Sequence, residues 1–585
     1  MVETKNIFIE AIIKKMSVKQ KIGQCIVVGM SGTAITNDLR EAVVRYECGG
    51  IRTSPFTRIF RYFSDDKAKP AEMGPDFVPS MEKIALQGLP PYKTPQQFAG
   101  TLNELKELAA QREPAIPLHI VLDQEGDTSK DFSRGGVAQF PNNMGLACTN
   151  DPDLTYRVSK MIARQMKASG FDMIHSPVVD VNINPSNPEI GRRAFSDDPV
   201  IVAEHAIAMV KGFKDGGVVA AAKHFPGRGD SATDAHHACP LLDVDFERLN
   251  RIELYPYTEL IKAGIDAVMV AHCIYPALDP EHISTVSRKV VHELLREKMG
   301  FQGVITTDSI TMGALIDKYG VGESCARALA AGADTILMKA ENQWRGEMFY
   351  TIEKWVEDGR ISESELDDKV WRILSMKYDY GLFENFGKID AEKAAEPYWE
   401  KEVTSTCEEA SVKSIMVCKD ELHALPLDLS KKTLLVNQQN SVKTPNDFWD
   451  HPALFQELME EDWPELQTFE TSFGMKSDAQ EKMVVDYVEN NDFDLIICTN
   501  FYDRAEAPHK YVRTLIDKGY PVLLITNTPY CIKETGGLIP EAKTIVLNMN
   551  LTPQGLRTTK KVLLDEESGL AQWPLSNYDP LHLRK

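Results

Sequence analysis

Eight short apolar segments alternate with helical stretches between about residues 20 and 340, and this rhythm limits the fold more than any other feature of the sequence. Most are continuous apolar runs without polar alternation, as expected of parallel strands buried on both faces. They lie at 24–29, 49–53, 118–123, 171–176, 218–223, 267–272, 303–307 and 335–339. Eight βα units in a stretch of this length are typical of a TIM-type (β/α)8 barrel, which usually takes about 250 residues. A doubly wound open sheet is the less favoured alternative.

A second, shorter βα series follows the first. Its apolar runs lie at 433–437, 495–500, 522–526 and 544–548. These runs also end in polar residues and predict a smaller parallel sheet between helices, so the fold class is α/β with a C-terminal αβα sandwich. We therefore expect a barrel domain at 1–382, a surface linker at 383–404 and the sandwich domain at 405–585. Residues 54–93 are too long for an ordinary connection and are expected to be an insertion in the barrel.

Charge and cysteine usage exclude several classes of protein. Lys and Arg number 65 against 86 Asp and Glu, a net charge of −21, which argues against nucleic acid or an anionic membrane as partner. No apolar run approaches the roughly 18 residues of a membrane span, and the N-terminus lacks the pattern of a signal peptide. The ten cysteines form no CxxC pair and mostly lie in apolar runs, which favours reduced thiols and a cytoplasmic location.

Polar residues gather where the predicted barrel strands end. Asp123, Asp180, Lys223, His272 and Asp308 each lie at or just beyond the end of a different strand. A single acid there is usually a helix cap or a surface charge, but packing alone gives no reason to collect polar groups at one rim. Because barrel active sites lie at the carboxyl ends of the strands, this pattern predicts an active site.

The segment KHFPGRGDSATDAHH at 223–237 is the sharpest local feature. Asp234 and His236 lie two residues apart, which places both side chains on one side of an extended loop. An Asp that accepts a hydrogen bond from one imidazole nitrogen fixes the tautomer and raises the basicity of the other, so the pair predicts an oriented general acid/base. A metal site is the less favoured alternative, because zinc-type ligand spacing is missing. Its ligands would be His224, His236, His237 and Asp230.

Asp308 is the second feature, since the segment GVITTDSITMGAL runs an apolar strand straight into an acid. Such an Asp is either the N-cap of the following helix or a carboxylate that faces the barrel mouth. In the second case Lys and Arg side chains beside it would hold it ionised, as a nucleophile or a charge stabiliser needs. No glycine-rich phosphate fingerprint is present, so no cofactor is expected.

At this point the sequence resembles glycoside hydrolase family 3, and in particular its β-N-acetylglucosaminidase branch. The resemblance covers about residues 18–380 and rests on VLDQEG (121–126), IGRRAFSDDP (190–199), KHFPGRGDSATDAH (223–236), and AVMVAHCIYPALD (267–279) with FQGVITTDSITMGAL (301–315). It implies that Asp308 attacks the anomeric carbon, that His236 is the acid/base and that Asp234 orients it. It further implies sugar-binding residues in the −1 pocket and an apolar wall. These are Asp123, Arg193, Lys223 and His224, with Met312 as the wall. We also expect Arg228 to bind substrate, although the resemblance does not imply this residue.

The activity that this resemblance implies is an exo-acting, retaining β-N-acetylglucosaminidase that uses no metal and acts on chitin oligosaccharides or muropeptides. Three alternatives stay open: a β-glucosidase or β-xylosidase, a β-glycoside phosphorylase in which Arg228 adds a positive charge for phosphate, and a sugar-binding protein without turnover.

The sequence also departs from this branch in three places. Arg228 stands where PGHGD has a histidine, Asp127–Lys130 replaces the usual Gly-Arg-Val continuation, and the 54–93 insertion is additional. We expect these changes at the pocket rim, where they would affect the choice of sugar and aglycone. The aromatic residues of the insertion fit either stacking on a ligand or packing, as in the interface of a homodimer, and packing is favoured. They are Phe56, Phe60, Tyr62 and Phe63.

Overall fold

A computed structural model describes residues 2–54, 93–127, 129–133, 135–233, 239–338, 344–438, 453–471, 478–501, 510–532 and 536–584. Its first half is a closed barrel of eight parallel strands in chain order. The strands are β1 Ile26–Ser31, β2 Gly50–Ser54, β3 His119–Leu122, β4 Met173–Ile174, β5 Val219–Phe225, β6 Ala267–Val270, β7 Val304–Ser309 and β8 Thr335–Met338. Each predicted run overlaps one of these strands, and the barrel prediction is confirmed.

Helices surround the barrel and cover the outward faces of its strands. Val121 and Met269 belong to a cluster that fills the barrel interior, whereas Ile120 and Leu122 join the larger core that includes the helices. This alternation is the one expected of barrel strands. The helices are Val2–Ile13, Val18–Gln24, Asn37–Val44, Pro95–Ala110, Asn143–Ala147, Pro152–Ala168, Pro199–Asp215, Phe246–Arg251, Tyr255–Lys262, the π-helix Lys289–Lys298, Gly313–Tyr319, Val321–Ala331, Trp344–Glu357 and Glu363–Asp379. Short 3-10 turns lie at Gly191–Arg193 and Ser284–Val286.

The second half contains a six-stranded sheet. Its strands are β9 Ile415–Asp420, β10 Thr433–Gln438, β11 Gln467–Thr471, β12 Leu495–Asn500, β13 Val522–Thr526 and β16 Thr544–Asn548, beside a small hairpin of β14 Cys531–Ile532 and β15 Gly536–Gly537. The strand order in the sheet is β11-β10-β12-β13-β16-β9. All neighbours are parallel except β9, which runs antiparallel to β16. The four predicted strands are confirmed. The two edge strands, β9 and β11, escaped prediction because both are partly exposed and carry polar residues, so neither forms a continuous apolar run.

Helices on both faces make this sheet a sandwich. They are Lys401–Val412, Leu454–Asp462, Asp478–Glu489, Lys510–Asp517 and Pro553–Leu563, and 3-10 turns at Glu384–Gly387, Ala391–Lys393 and Glu396–Trp399 precede them. Helix Lys401–Val412 spans the predicted boundary at residue 405, and its Cys407 and Ala410 pack into the barrel's core. The domain boundaries remain a prediction. Residues 55–92, which carry the aromatic cluster, lie outside the described residues. The homodimer inferred from that cluster therefore remains a prediction.

The two halves meet at the carboxyl ends of their strands. The segments that follow β13 and β16 contact those that follow β3 and β4. Met144 and Cys148 of the barrel pack with Tyr530, Met549 and Leu575 in one buried cluster. The sandwich domain therefore lies against the rim at which the predicted site residues end.

Within the described part of the chain, no helix has the length and apolarity that crossing a membrane requires. All ten cysteines are described, and each is a free thiol.

His205 makes the barrel's stability depend on pH. Its ring is buried against Phe195, and Nδ1 lies 2.8 Å from Oγ1 of Thr155. Burial lowers the pKa of His205 to about 4. Because His205 binds a proton more readily in the unfolded chain than in the folded one, protonation favours unfolding. The contribution of neutral His205 to stability is therefore full above pH ~6.5 and is lost as the pH falls toward 4. When the pH is lowered from 7.5 to 5, the free energy of unfolding of the wild type falls in part because His205 resists protonation. The His205→Gln variant lacks this group, so we expect its free energy of unfolding to fall by about 2 kcal/mol less. Urea denaturation at both pH values measures this difference, and equal losses in the two proteins would contradict it.

Candidate active site

The barrel strands bring most of the predicted site residues to one rim. Asp123 directly follows β3, Lys223 and His224 lie on β5, and Asp308 lies on β7. Arg193 belongs to the 3-10 turn Gly191–Arg193. All of these side chains are buried, as are Arg228 and Met312. Asp234, His236 and His237 lie outside the described residues, so the acid/base pair remains a prediction.

A continuous chain of buried ion pairs links Asp123 to Asp308. Successive nitrogen–oxygen distances along it are 3.2, 2.5, 2.8, 3.7, 2.7 and 3.7 Å. Its members are Asp123, Lys223, Glu125, Arg193, Glu189, Arg228 and Asp308. Charges this deeply buried are stable only when they are paired, and removing one partner of such a pair typically costs about 3–5 kcal/mol. These seven paired side chains therefore form a preorganised polar wall.

Glu125 and Glu189 are the two residues of this wall that sequence reasoning missed, although Glu125 lies in the VLDQEG segment. Both oxygens of Glu125 accept hydrogen bonds from Arg193, at 2.8 and 3.1 Å. Burial by itself would raise the pKa of Glu125, but Arg193 and Lys223 lower it to about 2. Glu125 is therefore ionised at neutral pH and holds two of the predicted sugar-binding cations in place.

Arg52 also escaped prediction. It lies on β2 and pairs with Asp123, and its Nη2 is 2.7 Å from Asp131. The backbone N–H of Asp123 donates to Asp131 at 2.7 Å, so this second acid supports both the cation and the strand end. A charged residue inside the otherwise apolar run at 49–53 was the available signal.

His224 is oriented by Asp180. Nδ1 of His224 lies 2.7 Å from Oδ2 of Asp180, whose other oxygen accepts the backbone N–H of Arg228 at 2.7 Å. Burial raises the pKa of Asp180 to about 6 and lowers that of His224 well below its usual value. When Nδ1–H of a neutral His224 donates a hydrogen bond to the Asp180 carboxylate, Nε2 carries no proton and is a hydrogen-bond acceptor.

Asp308 does not cap the next helix. Helix Gly313–Tyr319 begins five positions later, with Met312 at the N-cap position. Instead, Oδ1 of Asp308 accepts the backbone N–H of Ser309 at 2.7 Å, and Oδ2 lies 3.7 Å from Nη2 of Arg228. The carboxylate interpretation is therefore the one that the geometry favours.

Arg228 is the cation beside Asp308. Its guanidinium is buried and paired with Glu189 at 2.7 Å. Burial would lower the pKa of Arg228, but Glu189 and Asp308 raise it, so the side chain stays positively charged. Nε and Nη1 have no hydrogen-bond partner among the described residues.

Two polar residues of this region, His272 and Asp127, make structural contacts. Both ring nitrogens of His272 are engaged, with the carbonyl of Ser309 at 2.9 Å and the hydroxyl of Thr285 at 2.6 Å, so the ring supports the end of β7. Asp127, expected at the pocket rim, is wholly committed elsewhere: it pairs with Arg192 and accepts the backbone N–H of Leu551 from the sandwich domain at 2.6 Å. That expectation was wrong, because Asp127 lies in the interface between the domains. Among the described residues, no cluster of His, Cys, Asp and Glu is arranged to hold a metal ion.

Known proteins resemble this chain in sequence and in structure. β-Hexosaminidase A of Pseudoalteromonas piscicida is 31% identical over 302 residues, which cover 48% of this chain and 50% of that protein. A β-N-acetylglucosaminidase/β-glucosidase of Cellulomonas fimi is 29% identical over 359 residues, or 59% of this chain and 62% of that protein. The chain thus spans about half to three fifths of these relatives.

A solved family 3 β-N-acetylglucosaminidase from Paenibacillus sp. str. FPU-7 superposes with a TM-score of 0.79 at 27% identity. The match covers 97% of this chain and all of that one. The model of the glycosyl hydrolase family 3 N-terminal domain matches residues 17–376, more than half of the chain. The chain therefore belongs to glycosyl hydrolase family 3.

Proposed function

We propose that this protein is an exo-acting, retaining β-N-acetylglucosaminidase. The observation that carries the proposal is the buried wall of alternating charges that ends at Asp308. Three relatives named for β-hexosaminidase or β-N-acetylglucosaminidase activity support the choice of sugar. Terminal β-linked N-acetylglucosamine of chitin oligosaccharides or muropeptides is the proposed substrate. Ten free thiols fit a reducing, cytoplasmic compartment.

Asp308 acts as the nucleophile in this proposal. Its carboxylate attacks the anomeric carbon, the glycosidic bond breaks, and a covalent glycosyl ester forms. Water then attacks the same carbon and releases Asp308, so two inversions give net retention. Arg228 stabilises the carboxylate before attack and after its release, since its guanidinium lies 3.7 Å away.

His236 donates the proton to the departing oxygen in the first step and removes a proton from water in the second. Asp234 holds its tautomer. Imidazole titrates near neutral pH, so it can serve both roles without the burial that a Glu would need.

The remaining wall residues bind the sugar. Hydroxyls both donate and accept hydrogen bonds, so they match a surface on which carboxylates and cations alternate. Asp123, Lys223 and Arg193 bind sugar hydroxyls, and neutral His224 accepts a hydrogen bond from a hydroxyl. Met312 supplies the apolar wall against the ring. This division assigns the charged wall residues to the glycone.

A specific feature of Arg228 favours a second candidate, phosphorolysis. Its Nε and Nη1, which have no hydrogen-bond partner among the described residues, are suited to an anionic acceptor. In that case a phosphate oxygen attacks the anomeric carbon of the glycosyl ester, the ester bond to Asp308 breaks, and a sugar 1-phosphate leaves.

A panel of nitrophenyl β-glycosides tests both candidates at once. We expect the N-acetylglucosaminide to be cleaved at least about tenfold faster in kcat/KM than the glucoside, xyloside or galactoside, a preference of about 1.4 kcal/mol. Each assay runs in phosphate-free buffer and again with added phosphate, and the products are identified by mass spectrometry. Free sugar under both conditions supports hydrolysis. Sugar 1-phosphate, or a preferred glucoside or xyloside, would replace the first proposal.

A further inference from the structure

Two neighbouring arginines after β4 join the active site to the sandwich domain. Arg193 pairs with Glu125, while Arg192 pairs with Asp127 at 3.1 Å. All four side chains are buried. The two acids lie two residues apart on the segment that follows β3, so one short stretch of each segment faces the pocket and also faces the interface.

The sandwich domain completes the second of these pairs. Oδ2 of Asp127 accepts the backbone N–H of Leu551 at 2.6 Å, and Oδ1 accepts Nδ2 of Asn142 at 2.7 Å. The same Asn142 amide group donates to the carbonyl of Met549 at 3.3 Å. The segment after β16 therefore fixes the position of Asp127 and, through it, of Arg192.

A second contact reaches the backbone of Arg228. Nδ2 of Asn182 donates to the hydroxyl of Tyr530 at 2.7 Å, and both residues are buried. The backbone at Val181 lies so close to Gly229 that an added Cβ would be 1.8 Å from the Val181 carbonyl oxygen. The peptide units of Arg228 and Gly229 are thus packed directly against the segment that Tyr530 holds.

Asn187 adds to this support. Its Nδ2 donates to the carbonyls of Arg228 and Gly229, at 3.0 and 3.1 Å. The segment after β4 therefore holds the Arg228 backbone at two points, and Asn182 in this segment donates a buried hydrogen bond to Tyr530 of the sandwich domain.

We propose that the sandwich domain is a positioning element of the active site, acting through Asp127 and Tyr530. Leu551 holds Asp127 and Arg192 so that Arg193 stays paired with Glu125, and Tyr530 holds Asn182 so that Arg228 stays beside Asp308. Asp127 and Tyr530 touch no substrate in this scheme. It rests on the proposed function only in taking this pocket as the site where the glycoside is bound.

The test compares Asp127→Asn and Tyr530→Phe with two matched controls in the full chain. Asp197 is also a barrel carboxylate that accepts backbone N–H groups of the sandwich domain, from Ser576 at 2.6 Å and Asn577 at 2.9 Å, but it pairs with no arginine among the described residues. Tyr578 is a sandwich-domain tyrosine whose hydroxyl accepts the backbone N–H of Cys531 at 3.1 Å. Asp197→Asn removes comparable bonds at a carboxylate that pairs with no described arginine. The Tyr578 ring packs beside Tyr530, with centroids 5.6 Å apart, so Tyr578→Phe keeps this packing and removes a neighbouring hydroxyl that does not bind Asn182.

We expect kcat/KM on the nitrophenyl N-acetylglucosaminide to fall about 10- to 100-fold in the two test variants and less than about threefold in the controls, at similar melting temperatures. Asp127→Asn is expected to act mainly on KM and on the affinity for free N-acetylglucosamine, because it loosens sugar-binding Arg193. Tyr530→Phe is expected to act mainly on kcat, because it loosens Arg228. The proposal would be overturned if activity fell in proportion to the loss of melting temperature in test variants and controls alike. Unchanged activity in both test variants would also overturn it.

A second readout needs no turnover. Hydrogen exchange of the amide of Arg228, which donates to Asp180, is expected to speed up in Tyr530→Phe and not in Tyr578→Phe. Equal exchange in these two variants would also overturn the proposal. If the wild type cleaves none of the glycosides while this exchange difference is present, the proposed function fails and the positioning role stands. Should Asp127→Asn not fold, Tyr530→Phe tests the proposal alone.

Discussion

Replacing Asp308 with glycine will reduce kcat for the nitrophenyl N-acetylglucosaminide by about 10⁴-fold, which corresponds to about 5.5 kcal/mol of transition-state free energy. The loss is large because the first chemical step has no nucleophile without this carboxylate. Steady-state kinetics measures it. Added azide should restore part of the rate, since it fits the space of the lost side chain and attacks from the same face, and the product should then be the α-glycosyl azide.

The control for this prediction is Asp317→Asn. Asp317 is an exposed acid on helix Gly313–Tyr319, nine positions further along the chain, and its loss should leave the rate within about twofold of the wild type. A β-glycosyl azide, or an Asp308→Gly variant that is only a few-fold slower, would show that another group attacks the sugar.

Replacing His236 with alanine will lower kcat/KM by about 10²- to 10⁴-fold on a substrate with a poor leaving group. The effect is expected to shrink toward a few-fold on a dinitrophenyl glycoside, because that leaving group departs without protonation. The limb of the pH–rate profile that reports the acid should also disappear. Rates on a series of aryl glycosides with different leaving-group pKa values measure the effect.

His237→Ala is the matched control, since it removes an imidazole one residue away in the same segment. It should leave the leaving-group dependence unchanged. If His237→Ala is the impaired variant, the acid/base assignment moves by one residue. Loss of wild-type activity after dialysis against a chelator, with recovery on adding zinc, would instead support the metal site first set aside on ligand spacing.

The barrel could be predicted from the sequence because its strands are buried on both faces. Most such strands leave continuous apolar runs, and these runs together with the regular alternation with helices identified all eight. The carboxyl ends of parallel strands converge, so Asp123, Lys223 and Asp308 could be placed at one rim although they are far apart in the chain. The edge strands β9 and β11 could not be found in this way, because exposure on one face removes the run.

Only the tertiary structure decided the partner of each buried charge. Glu125 and Glu189 became parts of the wall, and Asp127 became a contact to the sandwich domain, through partners tens to hundreds of residues away. The sequence alone determined which side chains reach the rim, since strand length and the period of two fix where each strand ends and which way its residues face. Only the folded chain determined which of them meet, because an ion pair depends on distances of a few ångströms between segments whose spacing no local pattern encodes.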